Sequence, residues 1–232
     1  MKKFFFFAAA LVAAVTINAE TYDFSKYATE ADWVVTSATK NTAESTADKL
    51  AYDIAGEVEA VVYPKGVENI KFTIKNGSAK PKAIVINLGN SFEFGGKNGI
   101  IKLSGVQIGA SIKLVVAAKG SKPADFADAT NAYPKGAIAI STDLTCPAKG
   151  SGAEGADEKG YVWKTLEYQA SSSNVEIKEF NGGYRISSLT IGGTTAIDNT
   201  AVEAKATKYM ENGALVIVKN GVKYNALGAV IE

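Results

Sequence analysis

The stretch YVWKTLEYQASSSNVEIKEFNGGYRISSLTI, residues 161–191, carries the clearest secondary-structure signal in the chain. It contains three segments rich in β-branched and aromatic residues, namely Tyr161–Tyr168, Val175–Phe180 and Tyr184–Ile191. Ser-Ser-Ser-Asn and Asn-Gly-Gly separate these segments, and such residues are typical of turns. The stretch therefore predicts three successive β-strands.

The same pattern extends toward the N-terminus. Ile70–Lys75 alternates apolar and polar residues, and Lys82–Leu88 is a continuous apolar run typical of a strand buried on both faces. Shorter apolar segments follow at 100–103, 111–117 and 137–140, each bounded by Gly or Pro. A helix could compete only around residues 45–54. Many short strands separated by glycines predict an all-β fold, a β-sandwich.

The first residues have the pattern of an export signal. Lys2 and Lys3 precede an apolar run over residues 4–15, and a small residue, Ala19, follows a few positions later. We therefore predict a signal peptide over residues 1–19, cleaved after Ala19. A membrane span needs about 20 apolar residues, so this run is too short to be one. No later run is long enough either, and we predict no transmembrane span.

Charge and cysteine content narrow the possible partners. The predicted signal peptide holds two of the 25 Lys and Arg residues, which leaves 23 basic against 24 acidic residues and a net charge of −1. A nearly neutral chain gives no electrostatic reason to expect nucleic-acid binding. Arg185 is the single arginine, and Cys146 is the single cysteine, so no intrachain disulfide can form.

The composition also argues against most kinds of catalytic site. The chain has no histidine, so Ser-His-Asp and Cys-His catalysis are unavailable and Cys146 is a poor nucleophile. Residues 150–155 match G-x-G-x-x-G, but no buried strand leads into them as a nucleotide site requires. Asp125 and Asp128 lack the dense carboxylate spacing of a calcium loop. Glu167 is one candidate glycosidase carboxylate, but no pair can be chosen. We predict a protein that is not an enzyme, with no cofactor and no metal site.

Aromatic residues indicate a possible sugar-binding surface. The apolar face of a pyranose ring packs on an aromatic ring, and neighbouring polar groups hold its hydroxyls. We predict Tyr161, Trp163 and Tyr133 as ligand-binding residues. If Tyr161–Tyr168 is one strand, alternation places Tyr161 and Trp163 on its more polar, accessible face, beside Glu167. The alternative is that Trp163 belongs to the core, as tryptophan commonly does in β-sandwiches.

The residue pattern of the chain changes after Ile191. A Gly-Gly-Thr-Thr segment leads into a predicted linker over residues 194–205, and a small β unit is expected over 206–232. Asn212-Gly213 and Asn220-Gly221 are each suited to a type I′ hairpin turn. They predict a hairpin or a three-stranded meander. Such a unit is either an extension of the main sandwich or a segment that another protein recognises.

Residues 201–232, AVEAKATKYMENGALVIVKNGVKYNALGAVIE, resemble the C-terminal sorting segments of Bacteroidetes proteins exported by the type IX secretion system. The matching features are the two Asn-Gly turns, the strand between them and the closing motif from Tyr224 to Gly228. Ala229 departs from the pattern, since many relatives carry Gln there. The resemblance implies recognition by the export machinery of the outer membrane. It also implies a route through the periplasm to the cell surface or the extracellular space.

A second resemblance concerns residues 161–193, which look like the closing strands of jelly-roll carbohydrate-binding modules. It implies a jelly-roll-like β-sandwich over residues 20–193. Taken together, the sequence predicts an exported binding protein that captures polysaccharide through aromatic side chains. The alternatives are capture of a host or microbial protein, such as a secreted enzyme, and a structural role as a surface subunit.

Overall fold

The structure is a computed structural model that describes residues 19–54, 58–75, 82–95, 98–130, 132–150, 152, 154–194, 207–211, 214–219, 222–225 and 230–231. Within these residues the regular structure is β-strand, apart from two single-turn 3-10 helices at Phe24–Lys26 and Glu30–Asp32. None of the helices described is long or apolar enough to cross a membrane.

The strands are numbered in chain order. They are β1 Glu20–Asp23, β2 Trp33–Thr36, β3 Thr39–Lys40, β4 Lys49–Ile54, β5 Glu59–Pro64, β6 Ile70–Lys75, β7 Lys82–Asn87, β8 Ser91–Phe94, β9 Gly99–Ser104, β10 Ala110–Ala118, β11 Ala124–Asp125, β12 Ala137–Ala139, β13 Thr145–Cys146, β14 Lys164–Ala170, β15 Asn174–Lys178, β16 Tyr184–Thr194, β17 Thr207–Glu211, β18 Ala214–Lys219, β19 Val222–Asn225 and β20 Val230–Ile231.

Two antiparallel sheets form the main body. The larger sheet has nine strands in the order β12-β14-β10-β16-β8-β7-β4-β3, with β1 pairing beside β8 along β16. The smaller sheet has five strands in the order β15-β9-β6-β5-β2, and β11 pairs separately with β13. The predicted all-β sandwich is confirmed.

Aromatic rings join the inner faces of the two sheets. Phe72 of β6, in the smaller sheet, stacks on Phe92 of β8, in the larger sheet, with ring centroids 4.5 Å apart. Phe94 meets Phe92 edge-on at 4.8 Å, and all three rings are fully buried. Offset and edge-on aromatic pairs add to the free energy gained from burying their area. The hydrophobic core therefore lies between the sheets.

Several predicted strands are found where alternation placed them, and the predicted start of one strand is wrong. Strand β6 has the predicted bounds, Ile70–Lys75. Residues 45–54, where a helix could have competed, end in strand β4 instead. The strand predicted from Tyr161 begins only at Lys164, so Tyr161 and Trp163 precede β14 and do not alternate along it. Leu166 and Tyr168 of β14 point inward, as predicted.

By its contacts the chain divides into two compact units, residues 1–194 and 195–232. Strand β16 runs to Thr194, so the first residue of the predicted linker belongs to that strand. The rest of the linker, 195–205, and residues 1–18 of the predicted signal peptide lie outside the described residues.

The C-terminal unit is a four-stranded antiparallel meander, β17-β18-β19-β20, one short strand more than the largest number predicted. Its register pairs Glu211 with Ala214 and Lys219 with Val222, so two residues connect β17 to β18 and two connect β18 to β19. Those residues, Asn212-Gly213 and Asn220-Gly221, and also Gly228, lie outside the described residues. Tyr224 pairs with Ile217 and Val230 and is half-buried.

One carboxylate lies in the interior of the main unit. Glu179 follows β15 and is fully buried, and its Oε1 accepts a hydrogen bond from the backbone N–H of Asn181 at 2.6 Å. Burial raises the pKa of Glu179 to about 7, although backbone N–H groups of Asn181 and Gly182 oppose the shift. Removing a charged carboxylate from water disfavours its ionised form.

This burial predicts a pH-dependent stability. The pKa of Glu179 is higher in the folded chain than in the unfolded one, so the folded state binds more protons between these two values. The free energy of unfolding should therefore fall as the pH rises from about 4.5 to about 7, by about 1.4 kcal/mol for each unit of pKa displacement. The melting temperature, measured by circular dichroism, should fall over the same pH range. We expect this fall to be smaller in Glu179→Gln.

Glu68→Gln, at an exposed carboxylate, is the matched control and should keep the slope of the unmodified protein. If Glu179→Gln and Glu68→Gln gave the same slope, Glu179 would not be the group that titrates.

Candidate functional site

The site is built on the outer face of the larger sheet. Arg185 of β16 lies between the inward-facing Tyr184 and Ile186, and Glu93 of β8 lies between Phe92 and Phe94. Alternation therefore turns Arg185 and Glu93 outward, and their Cα atoms are register partners. A largely buried salt bridge results, with Arg185 Nε donating to Glu93 Oε2 at 2.6 Å.

Two further residues complete this polar cluster. Arg185 Nη2 donates to Asn87 Oδ1 of β7 at 3.1 Å, and Lys119 Nζ lies 3.0 Å from Glu93 Oε1. The guanidinium is thus fixed by partners on two neighbouring strands. A charge that is buried with both a counter-charge and hydrogen bonds avoids most of the desolvation cost of burial.

Tyr161 covers this cluster. Its ring centroid is 4.4 Å from Arg185 Cζ and 4.3 Å from Lys149 Nζ, both within cation–π range. Tyr161 is 6% exposed, yet it does not belong to the hydrophobic core between the sheets. It is buried on the outer face by cations and by the loop that precedes it.

Asp157 organises that loop. Its Oδ1 accepts hydrogen bonds from the backbone N–H groups of Lys159 at 2.9 Å and Tyr161 at 2.8 Å. Its Oδ2 accepts from the indole Nε1–H of Trp163 at 3.0 Å. The N–H of Tyr161, foremost among these donors, holds the pKa of Asp157 below its usual range. One carboxylate therefore positions both aromatic residues.

The glycines of the G-x-G-x-x-G match have a backbone role. Gly150, Gly152 and Gly155 all have positive φ, at 71°, 70° and 81°, which glycine adopts without steric cost. Gly150 N–H also donates to Gly160 O at 2.9 Å and closes the base of the loop. Tight turns account for the motif without a nucleotide.

A cleft with two adjoining lobes lies beside these residues. The larger lobe has a volume of about 440 Å³ and the smaller one about 290 Å³. Both lobes share four lining residues, Asn90, Lys159, Tyr161 and Arg185. The larger lobe is also lined by Asp48, Asn87, Leu88, Gly89 and Lys149, and the smaller one by Asp157, Glu158 and Trp163.

The structure brings two of the three predicted ligand-binding residues together. The ring centroids of Tyr161 and Trp163 are 6.1 Å apart, with an angle of 45° between the rings. Trp163 is half-buried and lies outside the hydrophobic core. The expectation that Tyr161 is accessible is wrong, because Lys149, Arg185 and the turn at Asp157 cover its ring. Trp163 offers the more open aromatic surface.

Tyr133 lies elsewhere. Its ring packs against Phe180 with centroids 6.0 Å apart, and Lys135 Nζ and Lys178 Nζ lie 4.6 Å and 5.3 Å from its centroid. Tyr133 lines neither lobe of the cleft. The structure therefore does not assemble the three aromatic residues into one surface.

Sequence reasoning missed the polar part of the cleft. The missed residues come from distant segments, and they are Asp48, Asn87, Asn90, Lys149, Lys159 and Arg185. One signal was available, because the single arginine of the chain lies within an apolar strand pattern. An arginine is rarely buried without a partner, so its position indicates a structured polar cluster.

Other candidate groups make local contacts away from the cleft. Cys146 is buried with Sγ 3.9 Å from Val116 O, and burial raises the pKa of its thiol to about 12. Glu167 forms an exposed ion pair with Lys113 at 2.9 Å. Asp125 and Asp128 accept local hydrogen bonds from Ala127 N and Thr130 N, respectively. Within the described ranges, no three Cys, Asp or Glu residues form a group that could hold a metal ion.

In comparisons with known proteins, the chain matches no family model, no curated protein and no solved structure.

The role of Asp157 can be tested by fluorescence. We expect Asp157→Ala to release the Trp163 indole into water and to shift the tryptophan emission to longer wavelength. Trp33 is the only other tryptophan and is 7% exposed, so it gives a constant, buried background. Glu158→Ala is the matched control because Glu158 lines the same lobe but makes no hydrogen bond to Trp163. An unchanged emission spectrum in Asp157→Ala would refute this positioning role.

Proposed function

We propose that this protein is a non-enzymatic, exported binding protein that captures glycans in the cleft beside Tyr161 and Trp163. The observation that carries the proposal is the placement of a half-exposed tryptophan in a lobe whose other walls are polar and charged. Glycan sites combine an aromatic platform with hydrogen-bonding groups at its edges.

The smaller lobe supports this function in detail. The indole N–H of Trp163 is already bonded to Asp157, which fixes the ring and leaves its face to pack on the C–H groups of a sugar. Asn90 supplies both donors and acceptors, while Glu158 supplies acceptors for hydroxyl groups. A ring held in place before binding loses little conformational entropy when the ligand arrives.

The export route is part of the same proposal. The signal-peptide pattern over residues 1–19 and the sorting-segment resemblance over 201–232 support passage through the periplasm to the cell surface or beyond. The antiparallel β unit from β17 to β20 supports the sorting-segment resemblance, since type IX sorting segments are short β units. The outer-membrane export machinery would be its partner during secretion.

A second candidate function is capture of a protein. Strand β12 ends the larger sheet, and its neighbourhood exposes Ile138 at 59% and Ile140 at 55%. Edge strands with exposed apolar side chains are surfaces on which another chain can add a strand. Neither Ile138 nor Ile140 lines the cleft, so the two functions can be tested separately.

The glycan-binding function predicts a specific loss in Trp163→Ala. With soluble plant and host polysaccharides in affinity electrophoresis, we expect the affinity for the retarding polysaccharide to fall at least about tenfold, because truncation removes the aromatic platform. Tyr63→Ala is the matched control. Tyr63 is a half-buried tyrosine on β5 of the other sheet and should be replaceable without loss.

If Trp163→Ala bound the polysaccharide with unchanged affinity, the binding surface would not include Trp163. Binding of protein but of no polysaccharide, with loss in Ile138→Asp, would instead support the second candidate function.

The export proposal has its own test in a Bacteroidetes host with an active type IX system. We expect a chain without residues 201–232 to accumulate in the periplasm, because the outer-membrane machinery no longer recognises it. Cell fractionation and surface proteolysis measure this distribution. Surface display at the level of the full chain would contradict the sorting role.

A further inference from the structure

We propose that the glycan is acidic, and that its carboxylate or sulfate group binds in the larger lobe of the cleft to Arg185, Lys149 and Lys159. This inference rests on the glycan-binding function proposed above and names the chemical class of the ligand. It follows from how charge is distributed between the two lobes.

The larger lobe has an excess of positive charge. Three cations line it, Lys149, Lys159 and Arg185, against one carboxylate, Asp48. Beneath the lining, Glu93 shares its single negative charge between Arg185 and Lys119. These four cations and two carboxylates leave a surplus of two positive charges.

The carboxylate of Asp48 is already engaged. Thr46 Oγ1 donates to Asp48 Oδ1 at 2.6 Å, and this hydrogen bond, foremost, lowers the pKa of Asp48. Lys159 acts on Asp48 only through a weaker electrostatic interaction. Among the described residues, neither Lys149 nor Lys159 has a carboxylate within ion-pair distance. Both ammonium groups can therefore bind an anion.

Arg185 is held ready for such a group. A guanidinium has five N–H donors, and the hydrogen bonds to Glu93 and Asn87 use two of them. The side chain is only 13% exposed, and Tyr161 stacks over it. A fixed, partly desolvated guanidinium forms short charge-assisted hydrogen bonds with an anion and loses little entropy in doing so.

The smaller lobe has no such surplus. Asp157 and Glu158 line it together with Trp163, and their two negative charges balance Lys159 and Arg185, which it shares with the larger lobe. A glycan that spans both lobes would therefore place an acidic sugar near Lys149 and a neutral sugar on Trp163. The shared residues Tyr161 and Arg185 lie between these positions.

Matched pairs of polysaccharides test the charge requirement. The probes are polygalacturonate with its methyl-esterified form, and a sulfated galactan with its desulfated form, measured by isothermal titration calorimetry at one ionic strength. We expect at least one charged member to bind about tenfold more tightly than its neutral counterpart. Preference within the first pair identifies a carboxylate, and preference within the second identifies a sulfate.

Lys149→Gln is the key variant because Lys149 lines only the larger lobe. Its backbone N–H donates to Gly120 O, and this hydrogen bond does not depend on the side chain. The variant should remove most of the preference for the charged member. Lys65→Gln makes the same change in net charge at an exposed lysine that lines neither lobe, and it should behave as the unmodified protein.

The outcomes distinguish failure of the acidic-ligand inference from failure of the glycan-binding proposal. Equal binding of charged and neutral members, lost in Trp163→Ala, overturns the acidic-ligand inference and leaves glycan binding intact. Equal effects of Lys149→Gln and Lys65→Gln also overturn it, because the preference would then reflect only net charge. Binding of none of the four polysaccharides contradicts both proposals.

Discussion

The stacking of Phe72 on Phe92 determines much of what lies on the far side of the larger sheet. Because Phe92 and Phe94 of β8 and Tyr184 and Ile186 of β16 face the opposite sheet, the residue between each pair must face outward. Glu93 and Arg185 thereby meet on the outer face as register partners. The alternation of side chains along a strand thus couples the apolar core to the polar floor of the cleft.

That polar floor explains why the cleft can be both charged and ordered. An isolated arginine against a sheet would be expensive to desolvate, but Arg185 has Glu93, Asn87 and the face of Tyr161 as partners. Tyr161 in turn is buried without entering the core. Its burial closes one wall of the cleft and leaves Trp163 as the more solvent-accessible of the two aromatic residues.

The loop that leads to Tyr161 supplies further walls of the cleft, and its sequence suits this role. Positive φ at Gly150 and Gly155 lets the chain turn tightly, and Asp157 fixes the end of the loop through two backbone N–H groups and one indole. The loop also contributes Lys149 to the larger lobe and Glu158 to the smaller one. A single connection therefore supplies charged residues of both signs to the cleft.

Local pattern was sufficient for the β-sandwich and for many of its strands, because the alternation in Ile70–Lys75 expresses a two-residue period that the strand itself imposes. It failed at Tyr161–Trp163, where the side chain of Asp157 captures backbone N–H groups and delays the strand until Lys164. The larger lobe depended entirely on tertiary structure. Its residues, from Asp48 to Arg185, become neighbours through the order of β16, β8, β7 and β4 in the sheet and through the loop that carries Lys149 and Lys159, and no local period records that arrangement.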